Sequence, residues 1–216
     1  MKNSLLIYSG GMDSTVLLYK HIQDIKLCVS FNYGSKHNNK EIEFAKHHTA
    51  KFGTEHIIVN LSQVLPQVLK SNLLTGQGEI PDGHYEDISM KKTVVPFRNG
   101  IMLSIAAGIA ESNNLKYLMI ANHAGDHAIY PDCRATFIDS MNNAIAYGTY
   151  NNIQINAPFT NIDKRQVALI GKELGVDFTK TWSCYKGQEK HCGKCGTCTE
   201  RIEALKGFDK TNYDAV

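Results

Sequence analysis

The chain has 216 residues, carries 23 Lys and Arg against 21 Asp and Glu for a formal net charge of +2, and is 43% apolar and 20% charged. Such a composition describes one globular domain of ordinary size with room for a small addition. It excludes a disordered chain and a protein that holds nucleic acid through bulk positive charge, so no nucleic-acid partner is expected.

The first predicted strand covers residues 4–8, and its short apolar run ends at Ser9-Gly10-Gly11. That run is too short for a signal-peptide core, so the expected compartment is the cytoplasm. Further strands are predicted at 26–33, 56–60, 117–121 and 153–156, and helices at 14–23, 38–52, 99–113, 135–147 and 164–174. Alternating strands and helix-length amphipathic segments predict an α/β fold with a doubly wound, mainly parallel sheet. Asp163 is the expected cap of the last of these helices, and Gly175 its left-handed closing residue. The longest nearly apolar run, 101–110, is interrupted by Ser104 and Gly108 and falls short of the roughly 20 residues a bilayer demands, so no membrane partner is expected. Residues 71–92 hold Gly76, Gly78, Pro81 and Gly83 among polar residues, a connection long enough to be functional or mobile. After Val176 periodicity lapses until a short helix at 199–206, which divides the chain into an α/β domain, 1–175, and a metal-organised appendage, 176–216.

Three groups of residues carry chemistry. Ser9-Gly10-Gly11-Met12-Asp13-Ser14 joins the first strand to the first helix, where glycines admit close approach of an anion and helix N–H groups donate to it. Asp13 is suited to hold Mg²⁺ on phosphate oxygens. No GxxxxGK[ST] occurs, and Gly76-Gln77-Gly78 lacks the third glycine, strand and helix of a dinucleotide fingerprint. Cys184, Cys192, Cys195 and Cys198 lie within fifteen residues and supply the four thiolates of a closed zinc site. An iron–sulfur cluster is the rival, but the fourth Cys and Pro completing a ferredoxin run are absent; His191 is a possible substitute ligand. In the middle of the chain, Arg98 of Pro96-Phe97-Arg98-Asn99 can meet a phosphate or carboxylate, and Asn99 can cap its helix. Tyr130-Pro131-Asp132-Cys133-Arg134, with Asp126 just upstream, belongs at the carboxyl edge of the sheet, where open α/β sheets bind ligands. There Asp126 and Asp132 can accept from a purine-like heterocycle or hold Mg²⁺, Arg134 can hold a carboxylate, and Cys133 is either a buried apolar residue or a thiol of use. Lys164 opens its helix in reach of a phosphate.

The loop Ser-Gly-Gly-Met-Asp-Ser resembles the pyrophosphate-binding loop of the N-type ATP pyrophosphatases, or PP-loop proteins. The ordered set SGGMDSTVLL, FNYGSKHNNKE, VPFRN, YPDCRATFI and SCY with CGKCGTC resembles, over nearly the whole chain, the 7-cyano-7-deazaguanine synthase family of the queuosine pathway. One departure is Ser35-Lys36, where that family usually has Gln-Arg; Lys36 keeps the charge and loses the bidentate fork.

The resemblance implies an adenine nucleotide alpha hydrolase-like, Rossmann-like fold with a small C-terminal zinc-binding appendage. It implies an ATP-dependent ligase that turns 7-carboxy-7-deazaguanine and ammonia into the nitrile through adenylated intermediates. On that basis Tyr8, Ser9, Gly10, Gly11, Met12, Asp13, Ser14 and Thr15 bind ATP, and Asp13, Arg98 and Lys164 carry catalysis. Asp126, Tyr130, Asp132 and Arg134 bind the substrate, and Cys184, Cys192, Cys195 and Cys198 bind structural zinc. ATP, Mg²⁺ and Zn²⁺ are the implied cofactors and a homodimer the implied assembly. Neither an amino-terminal cysteine nor the length for a glutaminase domain is present, so free ammonium is the expected nitrogen source. Two other readings keep the loop: an enzyme that adenylates a tRNA base, and an ATP-sensing zinc module without turnover.

Overall fold

Five short runs of aliphatic residues form β1 (Ser4–Ile7), β2 (Ile25–Asn32), β3 (Glu55–Asn60), β4 (Tyr117–Met119) and β5 (Gln154–Asn156) of a computed structural model that describes residues 2–84 and 87–214. All four pairings are parallel, in the order 3-2-1-4-5. The crossovers are α1 (Met12–Lys20), α2 (Asn38–Phe52), α3 (Leu65–Val68), α4 (Arg98–Ser112) and α5 (Ala135–Gly148); α6 (Lys164–Glu173) follows β5, and α7 (Gly196–Ala204) begins among the cysteines. A parallel sheet must be covered on both faces, which is why its inner strands read as continuous apolar runs rather than alternating ones.

The strand period of two divides the core. Leu5, Leu27, Val29 and Leu118 face one apolar cluster with Leu103, Ala106 and Ile138, while Leu6, Cys28 and Met119 face another with Val16, Leu17, Val167 and Ala168. Trp182 and the cysteines at 184, 192, 195 and 198 pack into the first cluster, Ala204 and Leu205 into the second, so residues 182–205 reach both layers.

Local chemistry explains most element ends. Asp163 caps α6 by accepting from Gln166 N at 2.7 Å while Gln166 returns a bond to Asp163 N, and Gly175 closes it at φ 70°. At α4 the expected cap is corrected: Asn99 lies inside the first turn, and its backbone N–H donates to Asp132 Oδ2 at 2.8 Å. A carboxylate 33 positions downstream does the work of a local cap, which no reading of adjacent residues reveals. The cap position belongs to Phe97, at φ 54°.

The apolar stretch Ile88–Ser112 is broken at Val94–Phe97 into a 3₁₀ turn and α4, and α4 packs against β1 and β4. Its 15 helical residues are fewer than the about 20 that span a bilayer. The segment 71–92 is folded inward: Leu73, Leu74 and Ile80 are buried, and Asp82 bridges Cys195.

Candidate active site

The strand order reverses between β1 and β4, and a ligand crevice is expected outside the carboxyl ends of the strands at that switch. A cavity of about 210 Å³ lies there. It is lined by the loop after β1, the turn after β2, the start of α4, the segment after β4 and residues 182–185.

Of the loop residues, Ser9, Gly11, Met12, Asp13 and Ser14 line the cavity together with Tyr8. Gly10 and Thr15 stand behind it. A Cβ on Gly10 would lie 2.2 Å from the Glu41 carbonyl oxygen, and its φ of +85° is one that side chains rarely adopt, so this position must be glycine. Thr15 pairs with the buried Tyr8 hydroxyl at 3.1 Å. Ser9 Oγ accepts from Gly11 N at 3.0 Å and meets Ser14 Oγ at 3.0 Å, which holds the turn open ahead of α1. Trp182 N donates to the Gly10 carbonyl at 3.1 Å, so the carboxyl-terminal segment pins the loop from outside.

At one end of the cavity Lys164 Nζ lies 3.3 Å from Asp13 Oδ2 and 2.8 Å from Glu200 Oε2. Burial pushes its ammonium down, but Asp13, Glu200 and Asp126 outweigh that and hold it charged well above the ordinary lysine range. His123 Nε2 joins this group, 3.6 Å from Asp126 Oδ1 and 4.0 Å from Asp13 Oδ2. Asp13 Oδ1 is buried without a partner, the state expected of an oxygen awaiting a cation or a donor, so a carboxylate-bound Mg²⁺ fits here.

Arg98 lies at the other end, its Nη1 donating to the Tyr33 hydroxyl at 3.1 Å. Tyr130 and Tyr185 meet through their hydroxyls at 3.1 Å, and both line the cavity. The left-handed Phe97 swings the chain so that Arg98 opens α4 towards this space. Cys133 also lines it, but burial raises the thiol well above its usual range and its Sγ accepts from Asn99 Nδ2 at 3.2 Å, the surroundings of a packed residue rather than a nucleophile.

Two expected substrate residues stand elsewhere. Asp132 is spent on α4 and Arg134 Nε on the His127 carbonyl at 3.0 Å; neither lines the cavity. Lys36 donates to the carbonyls of Gln77 and Gly78 and so braces the 71–92 segment. Sequence reasoning missed Glu41, His37, Tyr33, Ser183 and Tyr185, which line the cavity, and Glu200 beside it. Glu41, His37 and Tyr33 fall within FNYGSKHNNKE and Ser183 and Tyr185 beside Cys184, but no local pattern says that these stretches meet.

The thiols of Cys184, Cys192, Cys195 and Cys198 are all buried, and their sulfurs lie within 4.8 Å of one another. Cys192 and Cys198 are 3.9 Å apart, against about 3.8 Å for sulfurs at the corners of a tetrahedron with Zn–S of about 2.3 Å. Backbone N–H groups of residues 192, 194 and 195 point at Cys184 and Cys192 sulfurs, as thiolates require. The donor set and spacing fit zinc. His191 is turned away from it: Nε2 accepts from Ser183 N at 3.2 Å and the ring lies over Trp182.

A five-stranded parallel sheet with a glycine loop after its first strand, and a cavity at its switch point, defines a ligand-binding α/β protein of the doubly wound kind. The NMN synthetase of Francisella tularensis has a similar fold, with a TM-score of 0.51 and 14% identity over 87% of this chain and 68% of that one. The chain belongs to the family described as queuosine biosynthesis protein QueC, whose model matches residues 3–209. Proteins named 7-cyano-7-deazaguanine synthase are 53% identical in Porphyromonas gingivalis, over 99% of this chain and 98% of that one, and 47% identical in Desulfotalea psychrophila, over 99% of both.

Proposed function

We propose that the protein is an ATP-dependent carbon–nitrogen ligase that converts 7-carboxy-7-deazaguanine and ammonium to 7-cyano-7-deazaguanine in a reducing cytoplasm. The observation that carries this reading is the meeting, in one cavity, of the phosphate-type loop with Lys164 and Asp13 at one end and Arg98 among tyrosines at the other. Family membership and the names of the relatives agree with it.

A carboxylate resists attack by ammonia, so its oxygen first takes AMP from ATP with loss of pyrophosphate. Ammonia then displaces AMP to give the amide. The amide oxygen takes AMP from a second ATP, and loss of that AMP with two protons leaves the nitrile. One adenylating site thus serves twice. Ser9, Gly11 and Ser14 bind the phosphates through N–H and hydroxyl donors at the α1 N-terminus. Lys164, held charged by its carboxylates, attracts the transferring phosphoryl group. Asp13 and Asp126 would hold Mg²⁺, which offsets phosphate charge. Arg98 orients the substrate carboxylate, and Tyr130 and Tyr185 pack on the heterocycle. The four cysteines would hold a zinc ion that is structural, since no ligand position stays open.

The test supplies ATP, Mg²⁺, ammonium and 7-carboxy-7-deazaguanine and follows AMP, pyrophosphate and the nitrile by mass-resolved chromatography. The nitrile with two AMP per turnover is expected, and neither should form with Asp13→Ala of unchanged zinc content. No nitrile from the wild-type protein, or full activity in Asp13→Ala, would overturn the reading.

A further inference from the structure

Ammonium has no lone pair, and near neutrality almost all ammonia in water is ammonium. A ligase that uses it must therefore take a proton from it beside the activated acyl group. The cavity holds few groups able to do so. Asp13, and Glu200 beside the cavity, are paired to Lys164, while Asp126 accepts from His123 N at 3.0 Å and lies 3.6 Å from its Nε2. Tyr33, Tyr130 and Tyr185 have phenols raised above their usual range, mainly by burial, and stay protonated. Arg98 is a fixed cation. His37 is held neutral, with burial foremost and Arg98 second pushing it to about 3, too low for a useful base.

Glu41 is different. It stands in the first turn of α2, its side chain is 15% exposed, and it lines the cavity. The backbone contact between its carbonyl and Gly10 seats this turn directly on the loop, and a β-carbon on Gly11 would lie 3.9 Å from Glu41 Oε1. One carboxylate oxygen thus abuts the glycine loop inside the cavity. The other, Oε2, accepts from Asn38 Nδ2 at 3.4 Å and lies 3.4 Å from His37 Nε2. Facing it are His37 at the cap of its own helix, Tyr33 just past β2 and Arg98 of α4, with Tyr185 stacked on His37 at 5.1 Å.

We infer that Glu41 is the catalytic base that deprotonates ammonium in the cavity, an inference that rests on the ligase reading above. The carboxylate takes one proton from NH₄⁺ and becomes the acid. The nitrogen lone pair forms the C–N bond as the C–O bond to AMP breaks and AMP leaves with that electron pair. The remaining extra proton on the amide nitrogen passes to water, and Glu41 returns its own proton to solvent. Burial raises the carboxyl to about 8 against the pull of Arg98 and Asn38, which suits it to exchange a proton with an amine near neutral pH.

The experiment compares wild type, Glu41→Gln and Glu41→Asp in two half-reactions: pyrophosphate exchange into ATP driven by 7-carboxy-7-deazaguanine, and capture of the adenylate by ammonium or by hydroxylamine, which is uncharged at neutral pH. For Glu41→Gln, exchange and hydroxylamine capture should stay within about threefold of wild type. kcat/KM for ammonium should fall about 100-fold or more, the range of a lost general base, and Glu41→Asp should recover part of it. Equal loss with both nucleophiles, loss of exchange in Glu41→Gln, or unchanged use of ammonium would overturn the role of Glu41. Absence of exchange in wild type would instead overturn the ligase reading, and this inference with it.

Discussion

Lys164 illustrates how little a residue's own sequence says about its work. Its ammonium is tied to Asp13 from the loop and to Glu200 from α7, two positions 187 residues apart in the chain. The lysine was legible as a candidate because it opens a helix, and the structure places it at the cavity; Glu200 was not legible, because an acidic residue on a short helix is usually solvated. Glu200→Ala should leave the cysteine site loaded while kcat for nitrile formation falls roughly 10- to 100-fold through loss of positioning, the scale set by misaligned catalytic groups; unchanged turnover would make the pair merely electrostatic decoration. Glu41 carries a stability cost of the opposite kind. Its folded-state pKa is raised from 4.5 to about 8, so the native protein holds a proton that the unfolded chain releases. The stabilising effect of that proton is complete below pH 4.5 and is lost as pH rises to about 8. Glu41→Gln should therefore melt with wild type at pH 4 and above it at pH 8.5, read by calorimetry, and equal melting at both pH values would refute the burial of this carboxylate.

At the level of elements, the strands and six of the helices were legible because hydrophobic period and composition agree there; α2 spans residues 38–52 both as expected and as found. The four-residue α3 was not, being too short to show a period. The start of α4 was misread for a different reason: its cap, Asp132, is supplied by tertiary structure. Asp132→Ala should cost about 1–2 kcal/mol, as lost caps do, and should also weaken substrate binding because Arg98 occupies the same first turn. Denaturant titration beside KM for 7-carboxy-7-deazaguanine checks both. The seating of the loop on α2 gives a sharper expectation. Gly10→Ala places a methyl against the Glu41 carbonyl at a positive φ, so nucleotide binding, measured calorimetrically, should be lost outright.

For the molecule as a whole, composition and the crowding of cysteines announced a sheet and a metal site but not how they join. Residues 182–185 run from the loop to the first thiolate, Asp82 bridges Cys195, and Gly83 N donates to the Lys194 carbonyl at 3.1 Å. The cysteine cluster therefore anchors one wall of the cavity and the 71–92 segment at once. Such links connect distant positions, and only a known fold makes them visible. Chelation, or Cys195→Ser, should strip hydrogen-exchange protection from residues 80–84 and 182–198 before it touches amides of β1, β2 and β4. Simultaneous loss everywhere would mean that the sheet cannot stand without the metal.

The hydrogen bond from Trp182 to Gly10 has a consequence for synthesis. Trp182 follows Gly10 by some 170 positions, so the loop can be pinned only after the five strands have been made, and contacts of such separation are slow to form. A nascent chain that lacks that segment thus displays its glycine loop without a finished pocket. The wall that completes the cavity is therefore made only after the sheet it closes.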